Sequence, residues 1–356
     1  MPIENKVTFR IMGASHAEYV GVSIDGIKFG EAIDLDELQG FLLRRKASGA
    51  VYSTKRCEPD EIVIESGIEN GVTTGGEIVA KIYNTNTRRS DYSQFKTCPR
   101  PSHADYAAYC KYGDEYDHSG GGKFSGRMTA PMCIAGGIAI QLLRRKGIEI
   151  GAYVQSIGGI HGASYKYKDI ERAKVMSVHG DTFPLLDQSF KAAMIRQIEG
   201  AASVGDSCGG IVECCVFGLP AGTGDVMRGS IESEIARNIY AIPAVKGLEF
   251  GSGFELSDMR GSGANDEFYF DEDGKVRTTT NHNGGINGGL ANGMPVTFRV
   301  AFKPVPSISR EQNTVNLQTG KNTTLTVRGR HDSCFVPRAV PAVEAMTALA
   351  LINMIE

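Results

Sequence analysis

The sequence of 356 residues contains no tryptophan, no C-x-x-C pair and no run of 18 uncharged apolar residues. Without such a run, no membrane-spanning helix is expected, and the absence of an apolar segment at the N-terminus predicts no signal peptide. The eight cysteines and the histidines lack metal-ligand spacing, and no D-x-D-x-D-G loop occurs, so no metal site is predicted. Reduced thiols in a cytoplasmic protein fit this pattern.

The chain also has little excess of either charge, since its formal net charge is only −3. This balance gives no basic excess for nucleic acid or for a membrane surface, and any anion site must be local. Hydrophobic residues make up 41% of the chain, which is enough for a substantial core. No repeat, low-complexity run or linker divides the chain, so residues 1–356 are predicted to form a single large domain. Interleaved strand and helix patterns favour the α+β class.

Glycine, in contrast, is abundant, with 44 residues concentrated in loops. The most informative loop is Gly120-Gly-Gly-Lys-Phe-Ser-Gly-Arg127, which precedes a predicted helix over 127–145. Glycines at positive φ and the positive end of a helix favour an anion, and Lys123 and Arg127 add full charges. The spacing matches neither the P-loop nor the dinucleotide fingerprint. A second glycine-dense loop spans 281–289.

Three histidines stand beside polar or basic residues in predicted loops. They are His16 after Ser15, His103 between Arg100 and Asp105, and His331 between Arg330 and Asp332. Together with the surrounding arginines and lysines they indicate proton transfer involving a multiply anionic ligand. A Ser-His-Asp hydrolase is a rival hypothesis, although no G-x-S-x-G motif is present.

The periodicity predicts the elements that carry these loops. Strands are predicted at 6–13, 20–28, 61–66, 77–83, 148–157, 210–217 and 294–302, and helices after Asp34, at 185–198, after Ser230 and at 340–355. The segment 84–119 is predicted to be a long loop and 261–271 a flexible polar one. Arg44-Arg45-Lys46 end the first helix, where the macrodipole alone could explain three cations.

Five ordered motifs resemble those of the chorismate synthase family. They run from the first strand to the last helix and are Gly13-Ala-Ser-His16 with Gly21-Val-Ser-Ile-Asp-Gly26, Arg100-Pro-Ser-His-Ala-Asp105, Gly120-Gly-Gly-Lys-Phe-Ser-Gly-Arg127, Gly329-Arg-His-Asp332 and Glu344-Ala-Met346. Shorter matches lie between them, among them Arg56-Cys-Glu-Pro-Asp60 and Ala244-Val-Lys-Gly247.

The resemblance implies a β-α-β sandwich and a homotetramer. It also implies 1,4-anti elimination of phosphate from 5-enolpyruvylshikimate-3-phosphate to give chorismate, the last common step of the shikimate pathway to the aromatic amino acids. The family requires reduced FMN without net oxidation. Some relatives reduce flavin with NADPH; no added reductase domain is visible here, so an external supply of reduced FMN is expected.

Site residues follow from the resemblance position by position. The implied catalytic residues are His16, which protonates the departing phosphate, His103 and Asp332. The implied substrate-binding residues are Ser15, Arg45, Arg100, Arg127 and Arg330. The implied cofactor-binding residues are Arg45, Lys123, Phe124, Ser125, Ala244, Gly288, Lys303, Pro304, Val305, Pro306, Ser307 and Arg330.

The chain also departs from the family pattern. Ala14 and Ala17 replace a glutamate and a glycine beside His16, and Val51 stands where an anion-binding arginine is expected. Met128 replaces a glutamate after Arg127, and Pro243 replaces an asparagine before Ala244. These departures leave an alternative hypothesis open, a non-catalytic paralogue that binds flavin or anions.

Overall fold

A computed structural model describes residues 6–46, 58–86, 94–115, 119–165, 170–327 and 332–355. The helices within these ranges are α1 Leu35–Leu43, α2 Asp105–Tyr112, α3 Thr129–Arg145, α4 Arg172–Ser177, α5 Lys191–Ser203, α6 Ile231–Ile239, α7 Gly261–Ala264 and α8 Val336–Leu351. The strands are β1 Thr8–Gly13, β2 Tyr19–Asp25, β3 Val63–Ser66, β4 Ile68–Glu69, β5 Val72–Thr73, β6 Ile78–Tyr83, β7 Glu149–Ile157, β8 Ile160–His161, β9 Gly210–Phe217, β10 Val245–Phe250, β11 Phe268–Phe270, β12 Val276–Thr278, β13 Ile286–Asn287, β14 Leu290–Ala291, β15 Val296–Phe302, β16 Gln312–Asn316 and β17 Lys321–Leu325.

Two antiparallel sheets lie on either side of a central helical layer. One has the strand order β1-β2-β6-β3, and the other has the order β10-β15-β9-β7-β8. In β6, Ile78, Ala80 and Ile82 are buried on one face, as a half-buried strand requires. β7 and β9 are buried along nearly their whole length because helices pack on both faces of their sheet.

Helices α3 and α8 fill the space between the sheets. They approach so closely that a Cβ atom on Gly136 would lie 2.3 Å from the Cα of Ala345. α3 faces β2 and β6, whereas α8 faces β7, β9 and α6. One continuous hydrophobic core therefore joins both sheets through the helical layer, which gives the predicted β-α-β sandwich of the α+β class.

Local capping explains two of the helices that the sequence predicts. Asp34 Oδ1 accepts a hydrogen bond from Glu37 N at 2.9 Å at the start of α1, and Ser230 Oγ accepts one from Ser233 N at 3.1 Å at the start of α6. Ile231, Ile235 and Ile239 then form the buried face of α6. Both predictions are confirmed.

Four predictions of secondary structure are wrong in detail. The segment 84–119 contains α2, whose tyrosines at 106, 109 and 112 are exposed, and 261–271 contains α7 and β11 instead of a flexible loop. α5 begins later than predicted, at Lys191, after a short turn that Asp187 caps. α8 begins at Val336, before the predicted start at residue 340; Pro337 lies in its first turn, where a missing N–H group costs little, and Pro341 lies inside the helix.

No helix in the described part of the chain is long and apolar enough to cross a membrane. The described cysteines are free thiols, and most of them are buried in the core. Cys57 lies outside the described residues.

Candidate active site

A single cleft of about 610 Å³ collects most of the predicted site residues. Its walls come from the turn after β1, the loop before α2, the glycine loop before α3, the loop between α6 and β10, the loop after β15 and the start of α8. The three predicted catalytic residues, His16, His103 and Asp332, all line it. A cleft of this volume is in the range of small-molecule and cofactor sites.

The glycine loop makes room for two imidazole rings. Gly120, Gly121 and Gly122 have φ values of 64°, 102° and 51°, a left-handed run that only glycine adopts easily. A Cβ atom on Gly120 would lie 2.0 Å from His16 Cε1, and one on Gly121 would lie 3.2 Å from His103 Nε2. The loop is therefore the surface against which both histidines are set.

His16 is held in place by the residue before it. Ser15 Oγ lies 3.0 Å from His16 Nδ1, and both residues are buried. Ser15 itself is fully buried and is not part of the cleft wall. Its contact with the ring fixes the rotation of the imidazole.

His103 belongs to a buried network with Arg100 and Asp105. Arg100 Nε and Nη2 donate to the two carboxylate oxygens of Asp105 at 2.7 and 2.8 Å, a bidentate pair. His103 Nδ1 lies 2.6 Å from Asp105 Oδ1. Two acceptors would repel at that distance, so the ring proton is assigned to Nδ1, although Arg100 Nη2 is 3.1 Å from the same nitrogen. Nε2 then faces Gly121 as the acceptor.

Burial sets the protonation of His103, and hydrogen bonds set that of Asp105. Burial lowers the pKa of His103 below its ordinary value, more than the bond to Asp105 raises it, and Arg100 lowers it further. The bonds from Arg100 and His103 hold the pKa of Asp105 well below its usual range, against the effect of burial. The ring is thus neutral at pH 7 and the carboxylate is ionised.

Two arginines share one carboxylate on another wall. Arg45 Nη1 donates to Asp60 Oδ2 at 2.7 Å, and Arg127 Nη1 donates to Asp60 Oδ1. Burial lowers the pKa of Arg45 to about 10, although Asp60 opposes the shift, so Arg45 stays cationic at neutral pH. Arg127 Nη2 is buried without a hydrogen-bond partner among the described residues. An unpaired guanidinium donor at a cleft wall favours an anionic ligand.

Asp332 is fixed from the side of α8. Arg338 Nη1 lies 2.8 and 2.7 Å from its two oxygens, and Arg338 Nε donates to the backbone oxygen of Arg45 at 3.0 Å. One guanidinium therefore ties the predicted catalytic carboxylate to the segment that carries Arg45.

The preceding residue, Arg44, has a different environment. Its Nη1 donates to Glu344 Oε2 at 2.5 Å within the helical layer, where Ala152 N also donates to Glu344 Oε1 at 2.9 Å. The cation cluster at the end of α1 is thus divided between the core, through Arg44, and the cleft, through Arg45.

Three residues of the cleft wall other than glycine have a left-handed backbone. Asp60, Ser102 and Ala244 have φ values of 56°, 57° and 76°. This conformation costs roughly 1–2 kcal/mol for a residue with a Cβ atom. Lys303 binds two of these segments, since Nζ donates to Ser102 O and its backbone N donates to Ala244 O at 3.0 Å. The surrounding contacts hold the wall in this strained form.

The predicted cofactor residues are placed unevenly. Those that line the cleft are Arg45, Lys123, Phe124, Ser125, Ala244, Lys303, Val305, Pro306 and Ser307. Pro304 adjoins them in the chain but is not part of the wall, and Gly288 lies in the turn between β13 and β14, away from the cleft. Arg330 lies outside the described residues. All of the cofactor-binding assignments stay predictions, including those of the residues that line the cleft.

The departures from the family pattern have three different surroundings. Ala17 N donates to Ala14 O at 3.1 Å, so the turn that carries His16 closes with alanines at both positions. Met128 is buried and Pro243 lines the cleft. Val51 lies outside the described residues.

Sequence reasoning missed the residues that support the site. Asp60, Arg338 and Asn84 contact predicted site residues without having been assigned a role. Asp60 closes the motif Arg56-Cys-Glu-Pro-Asp60, but nothing in that motif indicates that its carboxylate reaches Arg45 and Arg127. Nothing in the local sequence indicates that Asn84 reaches Arg127.

Comparisons with known proteins agree with this geometry. The sequence profile of a family described as chorismate synthase matches residues 7–355. The chorismate synthase of Dehalococcoides mccartyi strain BAV1 is 46% identical over 342 residues, which are 96% of this chain and 93% of that protein. The chorismate synthase of Thermococcus kodakarensis is 42% identical over 345 residues, covering 97% and 94%. A solved structure described as a crystal structure of chorismate synthase has a TM-score of 0.75 at 24% identity, covering 98% of this chain and 91% of that one. This likeness confirms the predicted fold.

Proposed function

Because the chain belongs to the chorismate synthase family, we propose that its cleft catalyses the 1,4-anti elimination of phosphate from 5-enolpyruvylshikimate-3-phosphate. The product is chorismate, and the enzyme is a carbon-oxygen lyase of the shikimate pathway. The observation that carries the proposal is the convergence of His16, His103 and Asp332 in one cleft whose walls also carry buried arginines.

The charge of the cleft suits this substrate. Two carboxylates and a phosphate need several cations, and Arg45, Arg100 and Arg127 are buried at the wall while Lys123 and Lys303 add two ammonium groups. The arginines are held by Asp60 and Asp105, so their charges are already oriented before a ligand arrives. Preorganised donors of this kind stabilise developing negative charge on a leaving group.

The residues present also fit a bound flavin. The cleft volume of about 610 Å³ suits a ligand of that size, and the unpartnered Arg127 Nη2 suits an anion. Lys123, Phe124, Ser125, Ala244 and the segment 303–307 are the residues that would hold FMN. Reduced FMN, when bound, supplies the electron-rich ring that lets phosphate and a proton leave without net oxidation.

The protons are assigned to residues of the chain. His16, set by Ser15 and Gly120, donates a proton to the departing phosphate, a step worth about 10²- to 10⁴-fold. Asp332, which Arg338 orients, is assigned to assist the removal of the proton at C6 of the substrate. His103 is neutral, with Nε2 as an acceptor toward the cleft, and is assigned to hold a ligand N–H or O–H group.

Three further properties belong to the same proposal. The resemblance supports a homotetramer, a cytoplasmic location and a supply of reduced FMN from an external reductase that uses NADPH. No segment of the chain is assigned to flavin reduction.

An anaerobic assay with chemically reduced FMN and the enolpyruvyl substrate tests the proposal. We expect chorismate and phosphate in equal amounts, and we expect His16→Asn to abolish turnover while FMN still binds. His161→Asn is the matched control, since His161 is exposed on β8 outside the cleft. Binding of FMN and substrate without chorismate would overturn the proposal in favour of a non-catalytic paralogue.

A further inference from the structure

Asn84 connects two functional groups of the cleft. It follows β6 directly, and its side-chain oxygen Oδ1 accepts a hydrogen bond from Arg127 Nε at 3.1 Å. Its Nδ2 donates to the backbone oxygens of Ala14 at 3.2 Å and Ala17 at 2.9 Å. These two oxygens flank His16 in the chain, so one amide contacts both the histidine turn and the arginine.

The orientation of this amide is determined by its partners. A guanidinium can only donate and a backbone carbonyl can only accept, so Oδ1 must face Arg127 and Nδ2 must face the turn. A flipped amide would lose all three bonds. The side chain is thus a clamp with one acceptor and two donors, each of them used.

The backbone around Asn84 is itself fixed. Asn84 N donates to Glu18 O at 2.9 Å. The buried carboxylate of Glu58 accepts from Thr85 N at 3.0 Å, from Thr85 Oγ1 at 2.8 Å and from Asn86 N at 3.2 Å. The amide therefore projects from a segment that cannot easily follow a displaced ligand or loop.

The three nitrogen atoms of the Arg127 guanidinium have different partners. Nη1 is bound to Asp60 and Nε to Asn84, which leaves Nη2 as the donor without a partner among the described residues. Removing the bond at Nε would let the guanidinium rotate about its link to Asp60. The direction of Nη2 thus depends on Asn84.

We infer that Asn84 is a positioning residue that fixes His16 and Arg127 relative to each other, so that the proton donor and the anion-binding donor meet the same leaving group. The inference rests on the proposed function for its kinetic consequence, but the geometry it describes exists without ligand. A displacement of about 1 Å in such a pair can cost about 10²-fold in rate.

Two substitutions separate the two halves of the clamp. Asn84→Ala removes all three bonds. Asn84→Asp keeps an acceptor for Arg127 but places a carboxylate oxygen against the carbonyl oxygens of Ala14 and Ala17, which repel it. We expect kcat to fall by about 10²-fold in both variants, whereas KM for the phosphorylated substrate should rise mainly in Asn84→Ala.

The decisive readout is independent of turnover. In ligand-free protein with labelled histidine, both variants should shift the His16 ring signals, while the signals of His161 stay in place. His16→Asn identifies the signals of His16. Asn322→Asp, at an exposed position of β17, is the matched control and should leave ring signals and kinetics at the parent values.

Each outcome decides the inference. If the ring signals of His16 do not move, Asn84 does not position His16, even if kcat falls, and the inference fails. If the parent shows no turnover, the proposed function fails while the ring signals still test the clamp. Should Asn84→Ala fail to fold, Asn84→Ser, which keeps a shorter donor and acceptor, provides the same measurements.

Discussion

The two glycine-rich loops of this chain, 120–127 and 281–289, have different surroundings. In the first, Gly120 and Gly121 face the imidazoles of His16 and His103, so a Cβ atom at either position would meet the side chain of a proposed catalytic residue. In the second, a Cβ atom on Gly284 would lie 2.5 Å from Gly251 N and 2.8 Å from Thr297 O. Its neighbours are backbone atoms of the adjoining strands.

The carboxylate of Asp266 holds the second loop in place. Asp266 accepts from the backbone N of His282 at 2.7 Å and from that of Asn283 at 2.9 Å. These bonds join the loop to the segment between α7 and β11, and the close approach of Gly284 to Gly251 joins it to the end of β10. A high density of glycine thus predicts close packing in both loops. The neighbouring atoms determine whether that packing shapes the cleft, as in the first loop, or stabilises the fold, as in the second.

Gly120→Ala gives the largest expected effect on activity. The added methyl group would occupy the position of the His16 ring, with His16 Cε1 only 2.0 Å away, so the ring must move. We expect kcat to fall by about 10²-fold or more. The free energy of unfolding should fall by only about 1–2 kcal/mol, the cost of a left-handed alanine. Steady-state kinetics and urea unfolding measure the two, and a parent-like kcat would remove the distinction between the loops.

Gly284→Ala should show the opposite balance. The backbone atoms of Gly251 and Thr297 cannot rotate away as a side chain can, and Gly284 has a φ of 64°. Strain and overpacking together should lower the free energy of unfolding by about 3 kcal/mol, while kcat per folded molecule stays at the parent value. Gly40→Ala in α1 is the control, because its Cβ atom meets nothing within 4 Å. A selective loss of kcat in Gly284→Ala would assign the second loop to the site.

His103, which lies against the first glycine-rich loop, is neutral, and its burial predicts that the free energy of unfolding depends on pH. Burial lowers the pKa of His103 in the folded state, so between that pKa and the unfolded value near 6.5 the unfolded chain binds more protons. The free energy of unfolding should therefore rise as pH rises through this window, by at most about 1.4 kcal/mol per pH unit, and level off above it.

His179 has a pKa that burial lowers as well, so the total pH dependence contains both residues. Urea unfolding from acid to neutral pH, compared between the parent and His103→Gln, isolates the share of His103. The variant should have the shallower profile. Parallel profiles would mean that His103 accepts a proton in the folded state as readily as in the unfolded chain.

The sequence predicted the fold well where the signals were local. The cap at Asp34, the isoleucine face after Ser230 and the strand at 77–83 each depend on residues close together in the chain, and the structure confirms all three. α2 was missed because its tyrosines face solvent and mask the helical pattern. The resemblance of the motifs to those of a known family predicted that loops distant in sequence form one site, which no local pattern could predict.

The supporting residues of the site could not be predicted for the same reason. Asp60 reaches Arg127 across 67 positions in the sequence, and Asn84 reaches Arg127 across 43. Such contacts depend on how β6 and the glycine loop meet in three dimensions. Burial of the partners, which decides the protonation of His103, is likewise a property of the packed chain.

Ala244→Gly has the smallest expected effect and tests whether the cleft wall stores strain. Ala244 has a φ of 76° beside the bond from Lys303 N, a conformation that glycine adopts without cost. Relief of roughly 1–2 kcal/mol exceeds the entropy that glycine adds to the unfolded chain, so the free energy of unfolding should rise by about 0.5–1 kcal/mol.

The matched control, Ala202→Gly in the helix α5, should lower that free energy by about 1 kcal/mol, because there the residue has an ordinary helical backbone. Changes of opposite sign in the free energy of unfolding would show that the strain comes from the backbone conformation of the cleft wall and is not a general property of alanine. Affinity for reduced FMN should fall in Ala244→Gly, since a freer wall must be ordered again when a ligand binds. A gain in stability with undiminished affinity would instead mean that the left-handed alanine serves neither the fold nor the site, in contrast to the glycines of both loops.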